Sequence, residues 1–226
     1  MNNISIIPIK NLPEFEPKHD LVDEIIKTFS SNNFVLEDKD VIVITQKIVS
    51  KVEDRLIKND NESIEKLIQQ ESLEILRKRG DTVIARTKHG FICANAGIDK
   101  SNIEKGSVLL LPEDPDKTSR DIRKKIEHVT TKKLSIIISD TFGRAWRKGQ
   151  TNVAIGSSGI QPLESYIGEK DAFDNELFAT EIAIIDELAG AAELVMKKSD
   201  NIPVAIIRGV NYKYSELGVK ELIRKE

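Results

Sequence analysis

The sequence predicts an α+β fold in which mixed and antiparallel sheets pack with helices. Three features point there: short runs rich in β-branched residues, amphipathic helical segments between them, and an order of the two that never becomes the steady alternation of a doubly wound sheet. The 226 residues can bury a proper core, and no linker-like stretch divides them.

The run "ISIIPI" reads as the first strand. From Asp20 to Ser31, Leu21, Ile25, Ile26 and Phe29 fall at helical spacing behind Asp20, a good N-cap residue. "DVIVITQK" reads as a buried strand whose polar exit, "TQKIVSK", gathers Thr45, Gln46, Lys47, Ser50 and Lys51. Residues 62 to 79 read as a charged helix with Ile64, Leu67, Ile68, Leu73, Ile75 and Leu76 on or near its inner face. Three β-type runs come next, "TVIART", "GFICANAG" and "SVLLLP". "PEDPDKTSRDIRKKIEH" then begins a helix with acids in front and bases behind, which suits the helix dipole. Leu134 to Ser139 is a short isoleucine-rich strand, "TNVAIG" another, and "GSSGIQP" a glycine-marked turn. An alanine-rich helix is expected from about Asn175 to Lys198, and "PVAIIRG" closes the series as a buried strand.

The formal net charge of -3 excludes a general nucleic-acid binder, so any anion-binding cations must be local. The single cysteine, Cys93, can form neither an intrachain disulfide nor a cysteine metal cluster, and its apolar setting makes it a buried, inert thiol. The first apolar run is too short and too soon broken by proline for a signal peptide. No stretch approaches the roughly 20 apolar residues of a membrane span. A cytoplasmic protein without a membrane partner is the expectation.

Neither G-x-x-x-x-G-K-[ST] nor G-x-G-x-x-G is present, so a nucleotide would have to be held in another way. His19, His89 and His128 lack metal-ligand spacing, and His89 reads equally as a structural histidine or a substrate contact. Carboxylates at strand and loop ends stand out instead: Asp99 in "NAGIDKSN", Asp140 in "SDT", and Asp186-Glu187 in "IIDELAG". Such oxygen ligands suit magnesium or manganese bridging to phosphate oxygens, and two such ions can neutralise a transferring phosphoryl group. Asp99 reads equally as a turn acid. Neighbours on a helix point about 100° apart, so Asp186 and Glu187 read mainly as a solvated face. Lys51, Arg144, Arg147 and Lys148 are candidates for phosphates or substrate carboxylates, Arg144 foremost because it comes four residues after Asp140 in a glycine-containing loop. Trp146 reads as core, with a stacking platform or an interface anchor as alternatives. Residue chemistry alone thus describes a metal-assisted enzyme acting on anionic, phosphorylated substrates, and names no reaction.

The segments "IPIK", "TQKIVSKVE", "HGFICANAGIDKSN", "LLLPEDPDKTSRDIR", "SDTFGRAWRKGQTNVAIGSSGIQPL" and "DELAGAAELVMKKSDNIPVAIIRG" together resemble the coenzyme F420-0:L-glutamate ligase family, along essentially the whole chain and in family order. The resemblance implies a single ligase domain over residues 1 to 226, either undivided or as two intimately packed subdomains, without the nitroreductase-like extension of some relatives. It implies an intertwined homodimer. The implied reaction has GTP activate the terminal carboxylate of F420-0, as an acyl phosphate, for attack by L-glutamate, and a second γ-linked addition to F420-1. Mg2+ or Mn2+, two per site, and K+ accompany it. Carried onto this chain, metal ligands would be Asp99, Asp140 and Thr141. Nucleotide contacts would come from Ile7, Pro8, Ile9 and Lys10, from Gln46, Lys51 and Asn102, and from Met196, Lys197, Lys198, Ser199, Asp200, Asn201, Ile202 and Pro203. Asp140 and Arg144 are the expected catalytic residues, Arg144 by inference from its position.

The sequence departs from the family pattern at four places. Asp54 and Asp174 stand where relatives often have glycine, Ile167 where they have arginine, and Lys198 where some place a glutamine near the second metal. A metal-dependent phosphohydrolase and a GTP-binding regulator using the same carboxylates are the alternative readings.

Overall fold

The apolar runs become strands that are buried on both faces. In a computed structural model, which describes residues 3–58, 64–101 and 103–224, the chain forms in order β1 (Ser5–Ile9), α1 (Leu21–Ser31), β2 (Val41–Thr45), α2 (Gln46–Val52), β3 (Leu56–Lys58), α3 (Ile64–Glu71), β4 (Ser72–Arg79), β5 (Thr82–Thr87), β6 (Ile92–Ala94), β7 (Ser107–Leu109), α4 (Pro115–Thr130), β8 (Ser135–Arg144), β9 (Arg147–Ser158), β10 (Glu164–Ser165), β11 (Glu181–Ile182), α5 (Ile184–Met196) and β12 (Val204–Arg208). A 3-10 turn lies at Asn95–Gly97 and another at Val219–Leu222. No helix among the described residues is long and apolar enough to cross a membrane.

The principal sheet has the order β1-β12-β2-β8-β9. Only β2 and β8 pair in parallel, and the other neighbours are antiparallel. Val41 to Ile44, Ile136 to Ile138 and Val204 to Ile207 are all fully buried, without the alternation of a half-exposed sheet, because helices cover both faces. The architecture is therefore α+β with mixed and antiparallel pairing, as the sequence predicts.

Helix α1 begins where expected: the Asp20 carboxylate accepts from the backbone N–H groups of Val22 and Asp23 at 3.1 and 3.2 Å. Its inner stripe of Leu21, Val22, Ile25 and Phe29 enters the core. Asp20→Ala, which leaves those two N–H groups without their cap, is expected to cost about 1 kcal/mol, read as a lower urea midpoint at unchanged m-value. Helix α4 starts from the Asp114 cap with Pro115 in its first turn. It packs so closely on β9 that a side chain at Gly156 would meet the Pro115 carbonyl.

Two helices differ from the sequence reading. Of the expected 62–79 helix, α3 covers Ile64–Glu71, and Ser72–Arg79 is instead strand β4, paired with β5. Leu67 and Ile68 are buried as expected, whereas Leu73, Ile75 and Leu76 are exposed. Residues 62 and 63 lie outside the described residues. The expected 175–198 helix is shorter, Ile184–Met196, because the preceding residues fold back on residues 164–171. Tyr166 donates to the Thr180 carbonyl and Gly168 to that of Leu177, both at 2.9 Å.

Strands β4, β5 and β6 form a second sheet with its own small cluster of Ile68, Val83, Ala85 and Ala96. β3 and β7 make a further antiparallel pair that leads the chain from α2 towards Asp99.

Candidate active site

Strand direction gathers the expected site residues at one edge. β1, β2 and β8 point one way and β12 and β9 the other. A row of paired residues, Ile9, Val204, Ile44 and Ile138, crosses the sheet just inside that edge. Beyond it lie the end of β1 with Lys10, the 196–203 segment entering β12, the β2–α2 junction at Thr45–Gln46, and Ser139 to Thr141 of β8. The Pro203 carbonyl accepts from the Thr45 N–H at 2.9 Å, which fixes the 196–203 segment beside α2. Carboxyl ends of parallel strands are where open sheets place their ligands.

Asp99 is brought to this edge from outside the sheet. Its backbone pairs both ways with Leu109 at 2.9 Å, and its carboxylate accepts from the Ser101 N–H at 2.7 Å. The other carboxylate oxygen forms an ion pair with Lys47 of α2, whose ammonium also donates to Ser101 Oγ at 3.1 Å. Burial pulls the Lys47 pKa down to about 8; Asp140 opposes this, and Lys198 and Lys51 add to it. Asp140 is pushed up to about 6 by burial, against the Thr141 N–H and the Lys47 and Lys198 ammonium groups. Lys47 thus pairs with one acid and acts on the charge of a second, and two buried polar atoms at the same edge, Gln46 Nε2 and Ser139 Oγ, have no partner among the described residues.

Beside Asp140, the Thr141 hydroxyl donates to Asn152 Oδ1 at 2.7 Å, and Asn152 Nδ2 donates to Glu193 Oε2 at 2.8 Å. Lys198 donates to Thr141 Oγ1 at 2.6 Å and to Asn152 Oδ1 at 3.3 Å, and pairs with Glu193 at 2.7 Å. Lys51 forms an ion pair with Glu14. Lys47, Asn152 and Glu193 are not among the expected site residues. Lys47 and Asn152 lie within "TQKIVSK" and "TNVAIG", but Glu193 reaches the site only because α5 crosses β9.

Other expected residues lie further off or have other tasks. Ile7, Pro8 and Ile9 sit on β1, and the Lys10 carbonyl accepts from Asn32 at 3.0 Å. Met196 is core, Lys197 pairs with Asp200 at 3.3 Å, and Ser199 donates to Asp200 at 3.3 Å; Asn201 has a positive φ and Ile202 is buried. Asn102 lies outside the described residues. Arg144, Arg147 and Lys148 belong to the β8–β9 hairpin and are exposed, with Arg144 donating to the Lys148 carbonyl at 2.6 Å. Four residues of extended chain put Arg144 about 13 Å along β8 from Asp140. Trp146 is not core: it is 103% exposed at the hairpin turn. Asp186 is no solvated acid either, for its carboxylate accepts from the Ala154 N–H at 2.8 Å and burial raises its pKa. His89 Nε2 lies 2.8 Å from the Pro112 carbonyl, a structural contact. The Cys93 thiol is pushed up to about 12 by burial, as expected of an inert cysteine. Asp54 and Asp174 have φ of 59° and 68°, a left-handed backbone that glycine takes most readily and aspartate also tolerates.

Among the described residues no three His, Cys, Asp or Glu side chains gather as a metal site. Asp99 and Asp140 alone fit the way magnesium binds, through one or two carboxylates plus substrate phosphates and water.

A desolvated acid and an ion-paired one among lysines, beside unpartnered polar atoms at the carboxyl end of a parallel strand pair, are the equipment of an enzyme that handles anionic groups. The family model for F420-0:Gamma-glutamyl ligase matches residues 10–209. The coenzyme F420:L-glutamate ligase of Methanococcus maripaludis strain C6 is 44% identical over 213 residues, 86% of each chain. That of Methanocaldococcus jannaschii is 44% identical over 209 residues, 84% of each. This chain belongs to the F420-0:γ-glutamyl ligase family, a family of ligases.

Proposed function

We propose that this chain is a GTP-dependent ligase of coenzyme F420 biosynthesis that adds L-glutamate to coenzyme F420-0 and a second, γ-linked glutamate to F420-1. The observation that carries the reading, beside family membership, is the Asp99–Lys47 ion pair at the sheet edge that also holds Asp140, where Gln46 Nε2 and Ser139 Oγ have no partner among the described residues. It works with Mg2+ or Mn2+ and with K+, as an intertwined homodimer in the cytoplasm.

In this reading an oxygen of the F420-0 terminal carboxylate attacks the γ-phosphorus of GTP, and GDP leaves with the electrons of the broken P–O bond. The glutamate amine then attacks the acyl phosphate carbon and gives up a proton, and phosphate departs. Asp99 and Asp140 would hold the divalent ion, which when bound polarises phosphate oxygens. Gln46, Lys51 and the 196–203 segment line the nucleotide side. Lys47, paired with Asp99, offers a positive charge to the transferring group, and such preorganised charge supplies much of phosphoryl-transfer catalysis.

The test is a mass-resolved assay of the purified protein with F420-0, L-glutamate, GTP and Mg2+ or Mn2+, leaving out each in turn. The expected product is heavier by one or two glutamyl units and forms only in the complete mixture. GTP hydrolysis without a mass gain, whether or not glutamate is present, would replace the ligase reading with a phosphohydrolase. GTP binding without turnover would leave a regulator.

A further inference from the structure

We propose that the Lys198 ammonium takes the place of a second divalent cation, so that this chain holds one metal ion per site rather than the two the family resemblance implies. The inference rests on the metal reading of Asp99 and Asp140 given above, and concerns the oxygens next to them.

An ammonium has three donors and no acceptor. Those of Lys198 face Thr141 Oγ1 at 2.6 Å, Glu193 Oε1 at 2.7 Å and Asn152 Oδ1 at 3.3 Å. These oxygens are joined to one another by the Thr141 to Asn152 and Asn152 to Glu193 hydrogen bonds, so the lysine closes a ring of fixed partners. Among the described residues Lys198 forms its ion pair with Glu193, and the other two oxygens it faces, on Thr141 and Asn152, are neutral. Lys47 forms its ion pair with Asp99, and Asp140, whose charge both lysines feel, is the acid left without an ion pair among the described residues. A hard dication that binds oxygens at about 2.1 Å is therefore drawn to the Asp99–Asp140 side. To enter the Thr141 side it would have to expel a paired ammonium and take mostly neutral ligands. Chain geometry also favours the lysine: Lys197 donates its N–H to the Glu193 carbonyl at 3.0 Å as α5 ends, so the next residue leaves the helix beside the Glu193 turn. Lys198 also donates to Thr141, the residue that follows Asp140, so its charge stands beside that acid as a second metal's would.

Titration of the whole protein with Mn2+ alone, with free Mn2+ read by electron paramagnetic resonance, tests this against Lys198→Gln. The Lys198 side chain is 58% exposed, so the variant should keep its circular dichroism spectrum and thermal transition. One ion per wild-type chain and two per Lys198→Gln chain are expected. Two ions on the wild type, or a single ion on both proteins, would overturn the proposal. If neither protein binds Mn2+, the metal reading of Asp99 and Asp140 fails, and this inference with it.

Discussion

Asp140→Asn is expected to lower ligation by about a thousandfold or more while making the ligand-free protein more stable at neutral pH. Asparagine keeps the shape of the side chain and loses the charge that would hold a metal. The stability gain comes from the environment of the acid. Burial raises its pKa from the ordinary 3.8 to about 6, outweighing the Thr141 N–H and the lysines. The folded protein therefore binds this proton more tightly than the unfolded chain does. That contribution is fully present below about pH 4 and is lost as pH rises through about 6, a difference on the order of 3 kcal/mol. The substituted amide carries no such penalty, so the variant should melt above the wild type at pH 7, with the gap closing towards pH 4. Scanning calorimetry across that range checks the stability, and the mass-resolved assay checks the activity. Near-normal ligation by the variant would remove Asp140 from the metal site, and a lower melting point at pH 7 would show that its charge is well solvated or well paired.

Arg208→Ala should be the most damaging single truncation away from the site, costing about 3–5 kcal/mol. Asp40, just before β2, is fully buried. Arg208, at the end of β12, answers both of its oxygens, from Nε at 2.8 Å and from a terminal nitrogen at 2.7 Å. The same guanidinium donates to Glu37 at 2.5 Å and to the Val35 carbonyl at 2.9 Å, and lies over the Phe34 ring. Truncation leaves a buried carboxylate with the Glu37 N–H at 2.8 Å as its remaining side-chain hydrogen bond among the described residues. Urea denaturation at pH 7 measures the loss, and a change below about 1 kcal/mol would mean that water reaches Asp40 readily. The pair sits at the far end of the sheet from Asp140, so activity per folded molecule should hold.

The principal sheet is legible in the sequence because its strands are buried on both faces, and that leaves unbroken runs such as "VIVIT" and "SIII". Pairing is not legible in the same way. The stretch after Ser139 reads as a loop because its glycine, arginines and tryptophan have no strand pattern of their own. They are held extended by β9, with Gly143 opposite Gln150 and Arg144 opposite Arg147. For the same reason Trp146 is a hairpin tip, its aromatic bulk notwithstanding. Ser72–Arg79 has helical spacing and good helix formers, yet Ser72 turns back to the Ile68 carbonyl at 2.5 Å and β5 supplies a partner strand for the residues after it. At the site, Asp140, Thr141, Asp99 and Gln46 announce themselves as acids and polar groups at strand ends. Glu193 does not, being an acid on a helix like many others until α5 lies across Asn152.

Asp99 reaches the site from the neighbourhood of the smaller cluster, since Ile98 packs against Ile68, Val83, Ala85 and Ala96, whereas Asp140 and Lys47 belong to the large sheet and its helix. The two acids are thus anchored in separate cores of very unequal size. A handful of buried side chains holds the smaller sheet by itself, so its backbone amides should exchange with solvent through partial openings well below the free energy of global unfolding. On the metal reading proposed above, an ion held by both acids must be released before the small sheet can peel away, and its occupancy adds to the cost of that opening in proportion to the logarithm of concentration over Kd. The proposed pair of metal ligands is in this sense also a clasp, and the protein is then most completely folded when that site is loaded.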